Sequence, residues 1–127
     1  MSGMQKVLTW LRQVWAEMDP SLYAPSLPTL RALDENRTEF VWQGPPFIFD
    51  RSMKTVSRSG EVVATFDVLR CIGISEHQGD ESPRSWSVFL DIGVFRNIRI
   101  GNTKDQTDAS MAAAHIATAT GKRVRVL

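Results

Sequence analysis

The sequence predicts an α+β domain: a curled antiparallel sheet barrel of roughly six to seven short strands, with a C-terminal capping helix and an N-terminal amphipathic helix. Three observations carry this expectation. From Thr38 onward, apolar and polar residues alternate in short runs separated by Gly, Pro and Asp turns. Near the C-terminus, Ala109, Ala112, Ala113, Ile116 and Ala119 form a helical stripe of small residues. Near the N-terminus, Met4, Val7, Leu8, Leu11, Val14, Trp15 and Met18 share one helical face.

The elements follow in order. The first helix ends at Asp19-Pro20, because proline restricts the residue before it and cannot continue the ladder. Pro20, Pro25 and Pro28 punctuate an arm in which Leu27, Leu30 and Leu33, spaced three apart, suggest a short helical turn. The chain thus divides into residues 1–37, helix and Pro-rich arm, and residues 38–127, the sheet domain. Glu39–Gln43 reads as a strand, Gly44-Pro45-Pro46 as a turn, and Phe47–Phe49 and Met53–Arg58 as extended segments. Ser59-Gly60 is a hairpin signal. Glu61–Phe66 and Leu69–Glu76 continue the sheet, and a polar loop follows to Arg84.

Trp86, Val88, Leu90 and Ile92 alternate cleanly, except that Phe89 breaks the polar row and must meet a second apolar surface or sit exposed. Gly93 marks a turn before Asn97–Ile100. Asp105 or Thr107 can cap the final helix, and Gly121 ends it. Val124 and Val126 then alternate with Arg123 and Arg125. Short hairpin connections favour antiparallel pairing, since parallel strands need long crossovers.

Composition narrows the function. A chain of 127 residues, 43% hydrophobic and 23% charged, makes one domain without needing a disulfide or a metal. Fifteen Lys and Arg against fourteen Asp and Glu leave a net charge of +1, which argues against a dedicated nucleic-acid binder. Cys71 is the only cysteine, as expected in a reducing compartment. No apolar run approaches the roughly 18–20 residues of a transmembrane helix, and residues 1–18 lack a signal-peptide core. The expected location is cytoplasmic.

From Phe47 to Val126 the chain resembles a small bacterial pleckstrin-homology-like (PH-like) domain. The resemblance rests on Phe49-Asp50-Arg51, Thr55-Val56, Arg58-Ser59-Gly60, Phe66-Asp67-Val68, Val88-Phe89-Leu90, Ile98–Ile100 and the Ala-rich helix ending at Gly121. It implies two near-orthogonal antiparallel sheets capped by the helix. Lipid-binding relatives resemble one another in a basic string across the first hairpin. Lys54 and Arg58 match that string, but Gly60 stands where its arginine belongs, so the resemblance does not bring phosphoinositide binding with it. The family shares no catalytic residues, which implies an adaptor-like role.

Candidate chemistry is sparse. His77, His115 and Cys71 fall in different elements and in no metal-ligand spacing. Asp34-Glu35 and Asp80-Glu81 are adjacent, so their side chains point apart. No nucleotide-binding loop or nucleophile elbow occurs. The reading is therefore a non-catalytic binding or scaffold domain without cofactor or metal, acting through a protein partner.

Charge layout supplies the candidate sites. Arg51, Lys54 and Arg58 form one basic block, Arg96, Arg99 and Lys104 a second, and Lys122, Arg123 and Arg125 a third. Six acids between Glu61 and Asp91 face only Arg70 and Arg84. Arg51, Lys54, Arg58, Arg96 and Arg99 are the residues expected to meet an anionic surface, with a membrane surface or a small ligand as the alternative to a protein partner. Val7, Leu8, Leu11, Val14, Trp15 and Met18 are expected to mediate self-association into a homo-oligomer.

Overall fold

The alternating segments form two separate sheets that share one core with the Ala-rich helix. The computed structural model describes residues 27–79, 83–94 and 96–127. Within them the strands are β1 (Thr29–Ala32), β2 (Arg37–Val41), β3 (Phe47–Asp50), β4 (Thr55–Arg58), β5 (Glu61–Thr65), β6 (Cys71–His77), β7 (Ser85–Asp91), β8 (Asn97–Thr103) and β9 (Val124–Val126). The helix α1 (Gln106–Thr120) lies between β8 and β9 in the chain. The first sheet has the order β1-β2-β3-β4-β5, and the second β8-β7-β6-β9.

The first sheet is an antiparallel meander, and local chemistry sets its turns. Asp34 Oδ1 accepts hydrogen bonds from the Asn36 and Arg37 amides, and its Oδ2 pairs with Arg37 Nε at 2.7 Å, closing the β1–β2 turn. Asp50 Oδ1 does the same for β3–β4, accepting from the Ser52 amide and hydroxyl and the Met53 amide. Ser59 and Gly60 take φ of 53° and 81°. Positive φ at both centres is the conformation whose twist suits a two-residue hairpin, here β4–β5. Alternation then puts Phe40, Phe47, Phe49, Val56 and Ala64 on the buried face.

The second sheet buries Ile72, Ile74, Val88, Leu90 and Ile100 beneath α1. Asp105 caps α1 through its bond from the Thr107 amide, and Gly121, at φ 73°, ends it. Ala109, Ala112, Ala113 and Ala119 are buried with Ile116. Side chains this small bring the helix close to the strands, where α1 touches β6, β7 and β8 and also reaches β1 and β2.

Several expectations are corrected. The sheet does not close into a PH-like barrel: nine described strands form two open sheets. The ladder breaks between β5 and β6, where Phe66–Arg70 turns and Leu69 is buried, and α1 contacts strands of both sheets. Pairing is not wholly antiparallel, because β9 runs parallel to β6 with Ile72 opposite Val124 and Ile74 opposite Val126. The crossover through β7, β8 and α1 is long enough to permit this. Leu30 belongs to strand β1 rather than to a helical turn, since Leu30 pairs with Phe40 and fills the first sheet. The expected N-terminal amphipathic helix, with Val7, Leu8, Leu11, Val14, Trp15 and Met18, lies outside the described residues.

The two Asp-closed turns respond to pH. The Arg37 side chain, then the Asn36 and Arg37 amides, hold the Asp34 carboxyl below the ordinary value of 3.8. The Met53 amide and the Ser52 hydroxyl do so for Asp50. A carboxyl whose pKa falls on folding stabilises above its unfolded pKa and loses that contribution as pH falls through the folded value. On acidification from about pH 5 to about pH 2, the Asn36, Arg37, Ser52 and Met53 amide resonances should move before the core amides do. Simultaneous movement of turn and core amides would show that these turns add nothing local.

Candidate functional site

The parallel pairing of β9 with β6 assembles a basic groove from residues distant in sequence. Arg70 precedes β6, Arg123 precedes β9, and Arg125 lies within β9 opposite Gly73. With Cys71, Asp91, Val124 and Val126 they line a concavity of about 600 Å³. Alternation explains the placement: Val124 and Val126 align with Ile72 and Ile74 on the helix side, which leaves Arg123 and Arg125 for the opposite face.

Asp91 is the only acid in the lining, and it is already engaged. Its Oδ1 accepts from the Gly93 amide at 3.1 Å, and its Oδ2 accepts from Cys71 Sγ at 3.7 Å. The ion pairs among the described residues join Arg31 to Glu39, Arg37 to Asp34 and Arg84 to Glu76. None includes Arg70, Arg123 or Arg125, all of which are exposed. Three guanidiniums around one groove, without side-chain carboxylate partners among the described residues, suit a ligand that brings anionic oxygens.

Cys71 is a poor nucleophile in this setting. Burial first, then the charge of Asp91 and its hydrogen bond, push the thiol pKa up; Arg125 and Arg70 pull weakly the other way. The protonated thiol is the less reactive form. Among the described residues no group of three or more His, Cys, Asp or Glu is placed to hold a metal ion. His77 is exposed at the end of β6, and His115 is half-buried on α1.

The five basic residues singled out from the sequence lie in different places. Arg51 donates from Nη2 to the Thr118 carbonyl at 3.3 Å, which ties the β3–β4 turn to the last turn of α1. Lys54 sits in that turn with φ 54°. Arg58 holds the β2–β3 turn: Nε donates to Pro45 O at 3.0 Å and Nη2 to Gln43 O at 3.2 Å. Its guanidinium lies 4.3 Å from the Phe47 ring centroid, a cation–π contact. A Cβ at Gly44 would stand 2.8 Å from Arg58 Nη2, so glycine also makes room for this strut.

Arg58 and Arg96 do share a shallower groove of about 520 Å³ with Phe47, Val63, Ile92, Asn97 and Ile98. Arg99 lines a different surface with Ser75, His77, Ser87, Phe89, Asn97 and Leu127. Arg51 and Lys54 line neither groove. Phe89 ends half-buried, between the two expected outcomes: it pairs with Gly73, and its ring occupies the space where a Cβ would stand.

The groove beside β9 was missed in sequence because Arg70 falls in an acidic stretch. The Arg123/Arg125 alternation was the available signal; its partner strand was not. No family model, curated protein or solved structure matches the chain. No helix among the described residues is long and apolar enough to cross a membrane.

The Cys71–Asp91 contact is testable in the full chain. Asp91→Asn removes the negative charge and keeps an oxygen for the Gly93 amide. It should lower the thiol pKa and speed iodoacetamide alkylation of folded protein severalfold at mildly alkaline pH. An unchanged pH–rate profile would show that Asp91 does not act on the thiol.

Proposed function

We propose that this is a non-catalytic binding domain that engages an acidic segment of a protein partner through Arg70, Arg123 and Arg125. The observation that carries this reading is the convergence of three exposed arginines on one groove whose single acid, Asp91, is already hydrogen-bonded. Arginine suits the task because its planar fork bonds a carboxylate with two parallel donors. The buried, protonated Cys71 and the engaged Asp91 favour binding over covalent or acid–base chemistry at this groove. An unpaired cysteine also supports a reducing, cytoplasmic setting for the domain.

An anionic membrane remains the competing ligand for any basic surface. A flat bilayer favours charges spread over one face, whereas these three arginines line a concavity of about 600 Å³. The groove therefore favours a narrow chain of carboxylates.

Fluorescence anisotropy with a short labelled peptide alternating Glu and Val tests the proposal. Binding should be saturable, should weaken as salt rises, and should be lost when Gln replaces Glu. Arg125→Ala should weaken it about tenfold, the scale of one charged hydrogen bond. Binding that ignores salt and the arginine substitution, or tighter binding to anionic vesicles than to the peptide, would contradict the proposal.

A further inference from the structure

We infer that the acidic segment binds as an added strand on the free edge of β9, extending the second sheet. This inference rests on the binding reading above and specifies how the partner docks.

Among the described residues the edge is open, and it has two different faces. The second sheet ends at β9, with no described strand beyond it. Toward β6, the Arg123 carbonyl accepts from the Ile72 amide and the Leu127 amide donates to the Ile74 carbonyl, both within 2.9 Å. Backbone groups alternate sides along a strand, so the N–H and C=O groups of Val124 and Val126 face away from β6. Left alone, these groups are a template for another strand.

Side chains select the occupant. Val126 is 74% exposed on the face it shares with Val124, and the other face carries Arg123 and Arg125. A second copy of β9 would bring arginines against arginines, which repels. A strand alternating acidic and apolar residues would place carboxylates beside Arg123 and Arg125 and apolar side chains beside Val124 and Val126. Backbone bonds would then supply affinity, and the alternation specificity.

The test uses the full chain and two peptides that alternate Glu and Val, one with unmodified amides and one N-methylated on the amides facing β9. Methylation blocks the backbone ladder and keeps every carboxylate. The unmodified peptide should slow hydrogen exchange at the Val124 and Val126 amides, and the methylated one should bind at least about tenfold more weakly. Equal, salt-sensitive binding of both peptides would overturn strand addition and leave the acidic-partner reading intact. Binding of neither would overturn both. Protection of Val124 and Val126 without peptide, rising with protein concentration, would assign the edge to a second copy and overturn the inference.

Discussion

The parallel pairing of β9 with β6 is the interaction on which the architecture depends. It can form only after the chain has passed through β7, β8 and α1, and α1 determines where β9 arrives. The alanine stripe lets α1 lie close over Ile72, Val88 and Leu90, and Gly121 turns the chain sharply at the helix end. Lys122 to Leu127 then has one adjacent ladder to join, the free side of β6. A bulkier helix face would stand farther from the sheet and carry β9 away from that edge.

The same pairing creates the charge pattern. Arg123 and Arg125 alone are two exposed residues of a short strand. Beside the start of β6 they meet Arg70, while Asp91 is held by Gly93 and Cys71. A chain with almost no net charge thus carries a locally basic groove through topology. Other arginines serve structure: Arg58 braces the Gly44-Pro45 turn over Phe47, and Arg51 ties a turn to α1. Basic residues close in sequence were separated, and basic residues distant in sequence were joined.

What was legible in the sequence was local. The stop at Gly121, the Ser59-Gly60 hairpin and the inward row of β7 each depend on a few neighbouring residues, and the same local signals narrowed the helix cap to Asp105 or Thr107. Strand partners were less legible, because alternation assigns faces and not neighbours. Hence the parallel β9, the open sheets and the strand at Leu30 departed from expectation. Phe89 lay between these cases: its break in pattern called for an apolar surface or for exposure, and the register with Gly73 gave its ring the space a side chain would otherwise fill. The candidate site was hidden for the same reason, since half of it was a strand order.

Cross-strand nuclear Overhauser contacts in the full chain test this account most directly. Parallel pairing predicts that the Ile72 amide contacts the Arg123–Val124 backbone and the Leu127 amide contacts that of Ile74, with slow exchange at both amides. Contacts from β9 to β5 or β1, or an antiparallel set to β6, would contradict the account and dismantle the arginine groove with it.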